Sequence, residues 1–251
     1  MNVSTIANYL AKALKIDEFQ DSSHNGLQVA NSGRVKKICC GVDASLEFFE
    51  QANAHGADMV ICHHGISWGD SLSRITGLNY QRLSTLLKYD MALYACHLPL
   101  DAHPTLGNNA QICRTLGLKK LKPFGMYNGK LIGFEGMLPK PRRFTTFERM
   151  VSERIGQPLH AWDCGKKTVQ RIAVVSGGAA GEIAEAGEKG IDVYVSGEQS
   201  LAAYNLAREY GINAIFAGHY ATERFGVQAV GERLKKRFGV EVEFLDMRIM
   251  V

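Results

Sequence analysis

Gly56-Ala-Asp-Met-Val-Ile-Cys-His-His64 is the stretch on which the fold turns. Its middle is a short unbroken apolar run, with a glycine before it and two histidines after it. Too short for a helix, it reads as a strand over residues 58–62, buried on both faces. Similar runs stand at 37–42, 91–96, 172–175, 193–195, 214–217 and 240–245, with segments of helical period between most of them. Strands alternating with helices make βαβ units and a mainly parallel sheet, so the fold class is α/β. Ahead of the first strand, Val3–Leu14 reads as an amphipathic helix, with Ile6, Leu10 and Leu14 on one face and Asn2 or Ser4 as its cap.

The chain also resembles itself. Val35-Lys-Lys-Ile38 and Gly56-Ala-Asp58 recur as Val169-Gln-Arg-Ile172 and Gly190-Ile-Asp192, a constant offset of 134 positions (Ile38 to Ile172, Asp58 to Asp192). Farther on, Ala92-Leu-Tyr-Ala95 leads into His97-x-x-x-Asp101, and Ala214-Ile-Phe-Ala217 leads through Gly218 into His219-x-x-x-Glu223, now at an offset of 122 (Ala92 to Ala214). The lost 12 positions fall in the Gly-, Ser- and Asp-containing stretch 65–80, an insertion in the first copy. Between the copies, 122–167 holds four of the six prolines (Pro123, Pro139, Pro141, Pro158), a strand-like 130–138 and a helix-like Phe144–Ile155. The expected organisation is therefore two related α/β lobes, 1–121 and 168–251, with a small α+β subdomain inserted at 122–167.

Composition sets bounds on the class. The 251 residues are 46% hydrophobic and 22% charged, which suits globular domains with a sizeable core and excludes collagenous or disordered chains. No apolar stretch approaches the roughly 20 residues of a membrane span, and the first residues carry no basic-then-apolar signal. A cytoplasmic protein that does not enter membranes is expected. The six cysteines form no CxxC pair, and Cys39 and Cys40 are adjacent inside an apolar run, as reduced thiols are. With 29 basic against 25 acidic residues, the short clusters Lys119, Lys120, Lys122; Arg142, Arg143; and Lys235, Lys236, Arg237 lack interleaved aromatics. They read as solvated faces and argue against nucleic-acid binding.

The chemistry gathers at strand ends, where open parallel sheets place their ligands. His63 and His64 follow one strand, His97 and Asp101 the next, and His219 and Glu223 the corresponding strand of the second copy. Residues four apart in a first helical turn share a face, so each His-x-x-x-acid pair can converge on one ion. A single such pair is most often a helix-start ion pair. Three features at equivalent points of a repeat point instead to metal. Imidazole and carboxylate without thiolate suit Zn, Mn, Fe, Ni or Co. Six candidate donors exceed the needs of one open catalytic ion and fit two ions with a bridging carboxylate. His24, His55, His103 and His160 lack this setting, although His103 lies near Asp101.

Ser23-His-Asn-Gly-Leu-Gln-Val29, Val60-Ile-Cys-His-His-Gly65, His97-Leu-Pro-Leu-Asp-Ala-His-Pro104, Gly107-Asn-Asn109 and Gly218-His-Tyr-Ala-Thr-Glu-Arg224 together resemble the GTP cyclohydrolase I type 2 family, the YbgI-type or Nif-three-like proteins. The resemblance runs in order over essentially the whole chain. It implies a dinuclear metal centre between two similar lobes, in subunits assembled as a toroidal homohexamer. Carried over by position, the metal ligands are His63, His64, Asp101, His219 and Glu223, with two divalent ions per chain. His97 matches a position near the site, as a second-layer residue or weak ligand.

Around that set, Glu198 occupies in the second copy the place of His64 and offers a general base, against the plainer reading of a helix-start acid. Asn25-Gly26 is a turn that the resemblance brings near the metals, and Ser176-Gly177-Gly178 is either a plain strand-to-helix turn or a phosphate approach. Cys62 and Cys96 should point into the core. The activity the resemblance implies is metal-dependent hydrolytic opening of the guanine imidazole ring of GTP, with Glu198 or His97 moving protons. The alternatives are a non-catalytic metal-binding scaffold or regulatory partner and, less well supported, a dinuclear phosphoesterase or nuclease.

Overall fold

Residues 38–42 and 59–62 are apolar or small at nearly every position, and each run can be covered only by burying both of its faces. In the computed structural model, which describes residues 1–155 and 160–249, both lie inside a parallel sheet. Contacts divide the chain into two units, Met1–Leu100 with Gly226–Arg248, and Asp101–Phe225 with Ile249.

The first unit opens with α1 (Val3–Leu14), as the sequence predicts. The Asn2 side chain accepts from the Ser4 amide at its start, and Val3, Ile6, Ala7, Leu10 and Leu14 form its buried stripe. There follow β1 (Gly26–Val29), β2 (Lys37–Asp43), α2 (Leu46–Ala54), β3 (Met59–His64), α3 (Gly77–Lys88), β4 (Ala92–Ala95) and the short α4 (Leu98–Asp101), which ends at the border between units. Chain-distant β11 (Glu241–Phe244) completes a sheet ordered β1-β4-β3-β2-β11, parallel except for β1. Phe48, Phe49, Val60, Cys62, Leu86 and Leu93 pack its core. Gly41 is required by close approach, because a Cβ there would lie 2.5 Å from the Phe48 ring.

The second unit contains α5 (Asn108–Thr115), β5 (Lys119–Tyr127), β6 (Lys130–Arg143), α6 (Phe144–Ile155), β7 (His160–Trp162), β8 (Thr168–Val174), α7 (Ile183–Glu188), β9 (Val193–Ser196), α8 (Leu201–Tyr210) and β10 (Asn213–Phe216). Its sheet runs β5-β6-β8-β9-β10-β7, with β8, β9 and β10 parallel and the others antiparallel. Phe134, Phe147, Val151, Ile172, Val195 and Ile215 are buried in its core. Helix α9 (His219–Phe238) starts here, and its residues from Gly226 onward are counted with the first unit.

Several boundaries differ from those read in the sequence. β3 does not stop at Cys62: its parallel pairing with β2 continues to Asp43 opposite His64, so both histidines belong to the strand. β6 runs past residue 138 to Arg143. Pro139 and Pro141 are accommodated where its register against β8 shifts, between Met137 and Arg142, and proline is tolerated at such irregularities because no ladder amide is needed there. Strands β1, β5 and β7 were not anticipated; each is at a sheet edge. The segment 122–167 supplies β6, β7 and most of β5, all hydrogen-bonded into the sheet of β8–β10, and the contact-defined borders at Leu100 and Phe225 differ from the expected 121 and 167. Pro158 lies outside the described residues. Among the described residues no helix is long and apolar enough to cross a membrane.

Candidate metal centre

In the first unit, β3 delivers His63 and His64 at its carboxyl end and the turn after β4 delivers His97. The ring centroids are 4.7 Å apart for His63 and His64, 5.2 Å for His63 and His97, and 5.5 Å for His64 and His97. Each ring offers one nitrogen, and these nitrogens lie within 4.8 Å of one another. Packing three imidazoles this closely would be costly if all were charged. Their hydrogen bonds show how each is held.

His63 is fully buried, and its Nδ1 lies 2.9 Å from the carbonyl oxygen of Cys96. A carbonyl can only accept, so the proton is on Nδ1 and Nε2 is the nitrogen a metal would take. His64 Nδ1 lies 2.8 Å from Asp43 Oδ1, and His97 Nδ1 lies 2.9 Å from Asp21 Oδ1. Burial would raise the Asp21 carboxyl, but the His97 hydrogen bond, with help from Asn25 and the Ser23 amide, holds it at about 2. All three rings follow the arrangement by which proteins orient metal-binding imidazoles: an acceptor behind Nδ1, Nε2 turned forward. Trp68, on the loop after β3, sets its ring edge-on 5.0 Å from His97 and tilted 5.9 Å from His64.

The second unit assembles a different group. His219 opens α9, and Glu223 follows one turn later with its side chain only 4% exposed. His219 Nε2 lies 3.1 Å from Glu223 Oε2, while its Nδ1 lies 2.6 Å from Glu198 Oε1, on the loop after β9. The Glu223 hydrogen bond outweighs burial and, with its charge and the Glu198 contact, raises the imidazole to about 9. Gly177 has a left-handed backbone (φ 67°), and a Cβ there would collide with the Glu223 carboxylate; glycine is the residue that lets the two approach. Asp101 is also buried, and its Oδ1 accepts from Asn108 Nδ2 (2.8 Å) and Ser176 Oγ (3.1 Å).

The structure thus brings His63, His64 and His97 together in one unit and His219, Glu223 and Glu198 together in the other. Asp101 sits with Asn108 and Ser176. The Ser176 and Gly177 amides are spent on Asn109 Oδ1 (2.7 Å) and Thr222 Oγ1 (3.0 Å), so that turn does not present them to a phosphate. Cys62 and Cys96 are core residues, and burial pushes the Cys62 thiol up. His24 pairs with Ser67, and His55 with Glu243. The His103 Nδ1 accepts from the amides of Thr105 and Leu106. The sequence reading missed Asp43 and Asp21, and it singled out Ser176 without its role as a donor to Asp101. Asp43 ends β2 and could have been found by the strand-exit rule that found the histidines; Asp21, 76 positions from its partner, carries no such signal. Asn25, read as a turn, accepts from the His97 amide at 2.7 Å.

A group of imidazoles and a group of carboxylates, neither containing thiolate, fit divalent ions of the Zn, Mn, Fe, Ni and Co kind. The profile of the Duf34/NIF3 (NGG1p interacting factor 3) family matches residues 1–249. A protein of Deinococcus radiodurans named GTP cyclohydrolase 1 type 2 homolog is 40% identical over 241 residues, covering 96% of this chain and 91% of its own. One of the same name from Archaeoglobus fulgidus is 41% identical over 247 residues, 98% of each chain. The solved structure of protein ybgI, described as of unknown function, superposes with a TM-score of 0.94 at 35% identity over the whole of both chains. On motifs, architecture and these likenesses, the chain belongs to the Duf34/NIF3 family.

Proposed function

We propose that this chain is a dinuclear-metal-dependent hydrolase-like protein, and that His63, His64, Asp101, His219 and Glu223 hold two divalent ions per chain. The observation that carries this reading is the uniform anchoring of three histidines by acceptors at Nδ1, which prepares Nε2 for a metal before any metal arrives. Two duplicated lobes account for the two donor groups. In support, the strand pairing Ile38 with Met59 recurs as Ile172 with Val193, at the same offset of 134.

When bound, such ions supply Lewis-acid polarisation and acidify a water. The chain's own residues do the rest. Asp101 and Glu223 bring buried negative charge, and Ser176 and Asn108 hold Asp101 in place. Glu198 is half exposed and bonded to His219 Nδ1, so that it can take a proton from His219 and return it to a leaving group. The substrate proposed from the relatives' name is GTP or a related small molecule, whose guanine imidazole ring is opened by water. A homohexamer in the cytoplasm is proposed with it. A non-catalytic metal-binding scaffold or regulatory partner is the second reading.

The test is to strip the protein, reload it with Mn, Fe or Zn, and screen each form for turnover of GTP and other metabolites. About two ions per chain and turnover in one form are expected. No more than trace metal would remove the site, and two ions without turnover of any substrate would leave the scaffold reading.

A further inference from the structure

Asp21 is remote from every motif, and its side chain is only 2% exposed. Four donors converge on its carboxylate: the amides of Ser23 (3.0 Å) and Leu98 (3.1 Å), the Asn25 side-chain amide (3.0 Å) and His97 Nδ1 (2.9 and 3.2 Å to the two oxygens). A carboxyl that meets donors on both oxygens is held as carboxylate, so the proton it shares with His97 sits on Nδ1. Asn25 fixes the same residue from the backbone side by accepting its amide at 2.7 Å. With Nδ1 committed, Nε2 is the nitrogen that His97 contributes to the cluster with His63 and His64.

We infer that Asp21 is a positioning residue that fixes a proton on His97 Nδ1 and aims Nε2 at the cluster, and that His97 is a third imidazole ligand beside His63 and His64. This rests on the metal-centre reading and goes beyond the five-residue ligand set proposed above, in which His97 only stands near the ions. His64 shows the same device, with Asp43 behind Nδ1 at 2.8 Å, and His63 shows it with a backbone carbonyl. His97 has the most elaborate support of the three.

The experiment is long-range 1H–15N correlation of the imidazoles in the full chain, first metal-free at about two pH units above the ordinary imidazole value and then with zinc added. Expected are the Nδ1–H tautomer at His97 without metal and a zinc-induced shift of its Nε2 together with those of His63 and His64. Asp21→Asn should weaken zinc binding by about 10–100-fold in a chelator competition, and Asp21→Glu should recover most of it. His97→Gln, which leaves the Asp21 turn its other three donors, should weaken zinc while His63 and His64 still respond. A proton on Nε2 of metal-free His97 would overturn the inference. So would a His97 ring that ignores zinc while its two neighbours shift, or unchanged zinc affinity in His97→Gln. If none of the three rings responds, the metal-centre reading itself fails, and the metal-free tautomer records that failure separately.

Discussion

The imidazoles of the two units are held in opposite ways. In the first, each of three rings has Nδ1 against an acceptor and its other nitrogen turned toward its neighbours. In the second, His219 has a carboxylate at each nitrogen, and the pair of them makes it an imidazolium whose proton leaves only at about 9. One group is ready to accept a cation. The other already holds one, in the form of a proton, and must give it up first. Metal would bind the first group by addition and the second by proton exchange.

That contrast can be broken by experiment. The largest effect is expected from Glu223→Gln, which removes buried negative charge from the proton-holding group: metal content and turnover should fall together, and elemental analysis showing full occupancy would sink the assignment. Glu198→Gln should keep its metal, because the amide oxygen can still accept from His219, while any turnover found in the substrate screen drops about 10²–10⁴-fold. Loss of metal in that variant would make Glu198 a ligand. In the group of three histidines, Asp43→Asn should cost about 10–100-fold in metal affinity by releasing His64, measured by chelator competition.

Smaller effects sharpen the comparison. Because the pKa of His219 is raised, from 6.5 to about 9, its charged form stabilises the metal-free fold fully below 6.5, and that contribution disappears as pH rises through about 9. The Tm of metal-free protein should fall over that interval, and a pH-indicator dye should register a proton released by His219 when zinc is added near pH 8. A flat profile in both would show that His219 is already neutral. Ser176→Ala, which deletes one donor to Asp101, should cost about 1 kcal/mol in denaturant unfolding and little metal.

Much of this was legible in the primary structure, and the exceptions have physical causes. Helices α1 and α6 announced themselves by apolar spacing, and the central parallel strands by runs such as 59–62 that cannot be half-exposed. Edge strands carry no such mark. β5 exposes Lys119, Lys120 and Lys122, which reads as a solvated loop until β6 is seen beside it, and β1 begins with the turn-like Asn25-Gly26. Site residues on strand ends were found because strand ends are where side chains meet. Of the acids behind them, Asp43 obeys the same strand-end rule and was passed over, while Asp21 is joined to its histidine by folding and not by spacing.

The first sheet borrows its last strand from the far end of the chain: β11 lies along β2, Glu241 opposite Lys37, with the whole second unit made in between. At synthesis rates of roughly 5–20 residues per second, β2 waits about 10–40 s on the ribosome before that partner exists. The second unit's sheet is contiguous in sequence and has no such wait. Birth order and completion order are thus reversed. β2, with Cys39 and Cys40 on it, spends its first seconds as an open apolar edge, so chaperone capture during synthesis should concentrate on the amino-terminal unit.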